Sequence, residues 1–167
     1  MNRPQGGATA NAAGALGEQL ILNMLVSHGF NEETKAERQA SRAMVRAAFD
    51  LKDAVLPGIV YRQLPAFNSI FRVPFKADFM IRLNKDQFGL IEMKWQASAG
   101  SVDEKLAFWL LTLQELPKNV RPILVVLGDG VRPGALSWLK ENQGRVHVAC
   151  NVQETKRLIQ ELVKGQS

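Results

Sequence analysis

The sequence predicts an α/β domain built on a mixed central sheet flanked by helices, and three observations carry that prediction. Apolar runs at 77–83, 88–96 and 122–127, alternating or continuous, read as strands. Apolar residues at three- and four-residue spacing over 12–28, 102–116 and 152–164 read as helices. The helix at 102–116 also lies between two strands. Such a crossover sets 88–96 and 122–127 parallel, whereas the polar turn at Asn84-Lys85-Asp86-Gln87 sets 77–83 and 88–96 antiparallel.

The 167 residues are 46% hydrophobic and 22% charged, which excludes wholesale disorder, collagen and low-complexity classes. A chain of this length buries enough surface to need no covalent staple. It has one cysteine, Cys150, and hence no internal disulfide, in keeping with a reducing, cytoplasmic setting. The N-terminus lacks the apolar stretch of a signal peptide, and the longest greasy run, Leu106 to Leu113, falls far short of the roughly 20 residues of a membrane span. A soluble protein without membrane partner is expected. Twenty-one Lys and Arg against sixteen Asp and Glu give +5, which permits a polyanionic partner without requiring one.

Taken in order, residues 1–11 are small, polar and glycine-rich and read as a loose tail, leaving 12–167 as a single domain. The helix 12–28 carries Leu16, Leu20, Ile21, Met24 and Leu25, has Glu18 on its flank, and stops at Gly29. A second helix is expected from Asn31 to Lys52, and Pro57-Gly58 breaks the chain. Residues 59–76 are extended or looped, with Tyr61, Phe67, Phe71 and Phe75 among Arg62, Arg72 and Lys76 and no acidic residue. After the hairpin and the crossover helix, whose first turn holds Asp103 and Glu104, Pro122 to Leu127 reads as a strand covered on both faces. A short helix at 135–142, a strand at 145–149 and an amphipathic helix at 152–164 complete the chain. No internal repeat is present.

The polar positions of the second hairpin strand are Glu92, Lys94 and Gln96. Alternation puts them on one face, with Ile91, Met93 and Trp95 on the other. A three- or five-residue loop centred on Lys85 sets Asp78 directly opposite Glu92, with Cβ atoms within about 5 Å. On a solvent-washed face this is a charged stripe worth little. In a strand covered on both faces, two carboxylates so close repel each other unless a cation joins them. The oxygen donors suit a hard divalent ion, Mg²⁺ or Mn²⁺. Lys94 beside it would orient or deprotonate a water and stabilise charge on a phosphate.

This hairpin resembles the core signature of the PD-(D/E)XK nucleases, the restriction-endonuclease-like superfamily: an Asp on one strand, here Asp78, then Glu/Asp-x-Lys on the next, here Glu92-Met93-Lys94. The order of elements over 12–127 is similar to that family's αβββαβ core. Ala77 stands where the signature has Pro, and the segment 31–52 is an insertion. The resemblance implies a Mg²⁺-dependent endonuclease acting on DNA, with Mn²⁺ substituting and no small-molecule cofactor. Asp78 and Glu92 would hold the metal with the Met93 carbonyl as a third ligand, and Lys94 would assist the attacking water. Glu18 would face the metal from the first core helix, and Gln96 would touch water or the scissile phosphate. Restriction-type and structure-specific enzymes (repair or junction-resolving) share these residues. An RNA-cleaving member, or a non-cleaving nucleic-acid-binding or assembly module on the same fold, are the alternatives.

Other positions bear on partners. Arg62, Arg72 and Lys76, interleaved with aromatics, suit nucleic-acid contact, as do Ser101 and Lys105 at the start of the crossover helix, where Ser101 equally suits a cap. A duplex has two strands to cut, which favours a homodimer, with Phe108 and Leu111 as a candidate surface. Leu106, Trp109, Leu110 and Leu113 read as core. His28, His147 and Cys150 read as structural, and Gly128-Asp129-Gly130 as a turn.

Overall fold

The computed structural model describes residues 6–97 and 102–164. Its elements run α1 (Gly6–Ser27), β1 (Asn31–Glu32), α2 (Lys35–Arg46), α3 (Leu51–Ala54), β2 (Ile59–Asn68), β3 (Pro74–Arg82), β4 (Phe88–Trp95), α4 (Val102–Gln114), β5 (Val120–Leu127), α5 (Pro133–Glu141), β6 (His147–Ala149) and α6 (Val152–Val163). The strands form one six-stranded sheet in the order β1-β2-β3-β4-β5-β6. β3 pairs antiparallel with both β2 and β4, whereas β4, β5 and β6 run parallel, as do β1 and β2. The mixed sheet expected from the sequence is present, and the crossover through α4 makes β4 and β5 parallel.

Strand alternation builds two cores. Phe79, Ile81, Ile91, Met93, Ile123 and Val125 meet Ile21 and Leu25 of α1 and Ile159 and Leu162 of α6. Met80, Phe88, Leu90, Leu124 and Val126 meet Leu106, Leu110 and Leu113 of α4 and Leu139 of α5 on the other face. Because β4 and β5 are sandwiched, nearly every residue along them is buried, which is what their continuous apolar runs require. Among the described residues no helix is long and apolar enough to cross a membrane.

Two expectations need correction, and a third becomes definite. The helix predicted over 31–52 is two helices preceded by a strand. Asn31 pairs with Ile59 in β1, and the true start is a capping box in which Thr34 accepts from the Glu37 N–H while the Glu37 carboxylate accepts from the Thr34 N–H. Ala48, at φ 57, ends the first helix, and Asp50 caps the second. The segment 59–76, expected as extended or looped, is both: β2 runs to Asn68, a turn follows, and β3 begins at Pro74. Its Pro65 is tolerated because β1 covers only the first two residues of β2, so the rest is an edge, with a register shift between Leu64 and Phe67. Finally, α1 reaches back to Gly6, where the sequence reads as loose tail.

Candidate active site

β3 and β4 pair from Arg82↔Phe88 to Phe79↔Ile91, and the next step of that register places Asp78 opposite Glu92, as the loop length predicts. At that step the backbone ladder gives way to side chains. The Asp78 N–H donates to Glu92 Oε2 at 3.2 Å, and the Met93 N–H donates to Asp78 Oδ2 at 2.8 Å. Each carboxylate thereby holds the neighbouring strand, and the two acidic groups are fixed across one pair. Lys94 Nζ forms an ion pair with Glu92 Oε1.

Burial separates the two readings of this face. Glu92 is 1% exposed and Asp78 6%, so they are not a solvated stripe. Burial, and then the Asp78 charge beside it, push the Glu92 carboxyl up to about 8, with Lys94 opposing the rise. Burial also raises Asp78, again against the pull of Lys94. With both ionised, the two carboxylates outweigh the one ammonium, and the raised proton affinity of Glu92 relieves that excess. A pair in that ionised state favours a bound cation.

Three neighbours complete the site, and the sequence pattern did not reveal their roles. Gln63 on β2 donates from Nε2 to Asp78 Oδ1 at 2.8 Å, so both Asp78 oxygens are held. Gln63 has φ 54, a left-handed conformation in the middle of a strand, which costs a side-chain-bearing residue roughly 1–2 kcal/mol. The irregularity is visible in the packing. Tyr61 and Leu64 are three apart yet share one core, as do Ala77 and Met80. Strict alternation would put each pair on opposite faces, and the left-handed Gln63, between Tyr61 and Leu64, marks where the phase slips. Arg42 supports the kink by donating to the carbonyls of Arg62 and Gln63 at 3.0 and 3.4 Å.

Trp109, expected as core, is half-buried. Lys94 Nζ lies 4.1 Å from the centre of its ring, so the ammonium is held between a carboxylate and an aromatic face, both of which favour its charge. Arg62 pairs with Glu18 Oε2 at 2.5 Å and Glu32 Oε1 at 3.4 Å and covers the Phe79 ring. The residue expected to meet nucleic acid is thus engaged within the protein. Glu18 is close enough to Asp78 for its charge to help raise that carboxyl. A methyl group at Gly17 would lie 2.6 Å from Met93 Cε, so glycine there lets α1 press onto β4 and bring Glu18 to this end of the sheet.

Gln96 follows β4 and is fixed through its backbone: its N–H donates to the Leu127 carbonyl and its carbonyl accepts from the Gly130 N–H, each at 2.9 Å. The loop it meets depends on Gly128, at φ 96, where a Cβ would come within 2.2 Å of the Gln96 oxygen. Arg72 and Lys76 are exposed along the β2–β3 hairpin, and Lys105 is exposed on α4. Ser101 lies outside the described residues.

A profile of the PD-(D/E)XK nuclease superfamily domain matches residues 9–164. The chain belongs to the PD-(D/E)XK nuclease superfamily. No curated protein and no solved structure gives a significant match. Membership in this superfamily makes a nucleic acid the expected class of substrate and a divalent metal the usual helper. The donor set fits such an ion. Asp78 and Glu92 present oxygen atoms only, each already oriented by one donor and each with a further lone pair. Among the described residues no third His, Cys, Asp or Glu joins them in a metal-binding cluster. The remaining positions would fall to a backbone carbonyl and water, the manner in which Mg²⁺ is ordinarily held.

Proposed function

We propose that this superfamily member is a metal-dependent DNA endonuclease that hydrolyses phosphodiester bonds. The observation that carries the proposal is the buried Asp78–Glu92 pair, fixed across the open end of a hairpin with the Lys94 ammonium against it. Asp78, Glu92 and the Met93 carbonyl hold Mg²⁺, for which Mn²⁺ substitutes. When bound, the ion supplies Lewis-acid polarisation and charge neutralisation at the phosphate.

The chain's own groups do the rest. Lys94, held between Glu92 and the Trp109 ring, donates hydrogen bonds to the attacking water or the phosphate oxygens and stabilises the charge that develops there. Gln63 and the Met93 N–H hold the Asp78 carboxylate in one orientation, leaving it no rotation to pay for when substrate arrives. Glu18, anchored by Arg62, adds negative charge toward the metal side, and Gln96 lies one step beyond Lys94 to meet water or phosphate. Two chains acting together would supply one site per strand of a duplex.

The test is cleavage of supercoiled plasmid in Mg²⁺, Mn²⁺ and EDTA by the wild type, Glu92→Ala and Lys94→Ala. Metal-dependent nicking or linearisation that both variants lose is the expected result. A wild type that leaves plasmid, branched DNA and RNA intact in every metal would instead mark a nucleic-acid-binding module.

A further inference from the structure

Beyond Lys94, the aromatic side chains form a continuous ledge that leads away from the site. Trp109 lies under the Lys94 ammonium; Phe108 meets it edge-on at 4.9 Å; and Phe71 stacks on Phe108 with centroids 5.3 Å apart and planes 21° from parallel. Phe71 is 71% exposed, an unusual place for a large apolar ring. It is not a loose end. The turn that carries it is closed by bonds from the Ser69 N–H to the Val73 carbonyl and from the Arg72 N–H to the Ser69 carbonyl, both 2.8 Å, with Arg72 in a left-handed conformation at φ 60. The Phe71 N–H also donates to Ser69 Oγ. An ordered turn therefore holds a ring against α4 with much of its surface open to solvent.

These rings wall an apolar recess of about 490 Å³, with Lys105 and Glu104 also lining it. Its walls suit a flat apolar group, and the carboxylate at the rim disfavours a phosphate inside. Lys94 stands over the Trp109 ring and Lys105 lines the recess, so a phosphodiester backbone running past would meet a cation at each. We propose that this ledge is a stacking site for a nucleobase with an uncovered face, adjacent to the phosphate that is cut. The inference rests on the nuclease reading of the Lys94 site and narrows its substrate. In a continuous duplex both faces of every internal base are covered by neighbours, so the ledge gains contact only with a base in a single strand or one extruded from a helix.

The test uses the full chain in EDTA, so that strands stay intact, and end-labelled oligonucleotides read by fluorescence anisotropy. One sequence is presented as a single strand, as a perfect duplex, and as a duplex with one bulged base. The wild type should prefer a form with a free base over the perfect duplex by roughly 5- to 100-fold, the range stacking one base provides. Tightest binding of the bulged duplex identifies an extruded base, and tightest binding of the single strand identifies strand capture. Phe71→Ala, at an exposed position that leaves the core intact, should erase most of the preference, and Phe71→Tyr should restore it. Equal affinity of the wild type for all three, or an equal loss on all three in Phe71→Ala, overturns the proposal. So does a Phe71→Ala variant that dissociates a dimer while keeping the preference, since a second copy of the chain would then own the ledge. Plasmid cleavage read alongside keeps the two ideas apart. Metal-dependent cleavage without preference sinks the ledge alone, and preference without cleavage of any substrate sinks the nuclease reading alone.

Discussion

The two ends of the β3–β4 hairpin are built from the same strands and solve opposite problems. At the closed end the backbone pairs regularly from Arg82↔Phe88 to Phe79↔Ile91, and the turn is satisfied locally, with Asn84 Oδ1 accepting from the Asp86 and Gln87 N–H groups. At the open end the ladder is interrupted: carboxylates replace carbonyls as acceptors, Gln63 takes up a left-handed conformation, and burial together with the neighbouring Asp78 charge raises the proton affinity of Glu92. The closed end is organised for stability. The open end accepts strain and electrostatic cost, which proteins retain where a site needs them.

If that division is right, mutations at the open end should cost activity and those at the closed end should cost stability. The largest effect is expected at Lys94. Lys94→Ala should lower metal-dependent cleavage roughly 10²–10³-fold, the usual cost of losing one donor to developing charge. An unchanged rate, with Mg²⁺ saturating, removes Lys94 from the site.

Gln63→Asn comes next. Asparagine tolerates a positive φ but its amide is one methylene shorter, so Asp78 loses a donor while the kink survives. Mn²⁺ affinity should fall roughly 10-fold or more, as for other groups that orient a metal ligand, with little change in melting temperature. A fall in stability with intact affinity would make Gln63 a structural residue only.

pH offers a third test. Because Glu92 titrates at about 8 in the folded chain against an ordinary 4.5, the folded metal-free protein holds a proton that the unfolded chain has released. The stability tied to Glu92 is therefore full at the acid end and is lost as pH rises through that window. Glu92→Gln has no such titration. In EDTA its melting temperature should gain on the wild type from about pH 5 to about pH 9, by roughly 2–4 °C for each kcal/mol. A wild type that gains on the variant over the same range contradicts the shift.

The smallest effect belongs to the closed end. Asn84→Ala removes three local hydrogen bonds, all at the exposed turn, and should cost roughly 1 kcal/mol of stability while leaving cleavage per folded molecule unchanged. Lost cleavage at full stability would show that the two ends are not separable.

The same contrast explains what could be read from the sequence. Asp78, Glu92 and Lys94 were legible because alternation and the loop 83–87 are local rules, and the register obeys them. The parallel crossover was legible because apolar period and order suffice for it. Gln63 was not, since nothing in its residue type announces a left-handed conformation inside a strand. Trp109 satisfies a helical core pattern, and only tertiary packing puts its face under Lys94. Arg62 reads as a surface cation until the fold brings Glu18 and Glu32 to it. The 31–52 segment misled because Asn31 is a good helix starter, while the capping box three residues later at Thr34 and Glu37 was the stronger signal.

Everything above turns on the open end of the hairpin being a divalent-metal site made by Asp78 and Glu92. Calorimetric titration of Mn²⁺ into the full chain at neutral pH, repeated with Asp78→Asn and with Glu92→Gln, tests it most directly. Saturable binding by the wild type and its loss in both variants is the expected result. Binding that survives unchanged in either variant, or no binding by the wild type, would contradict it.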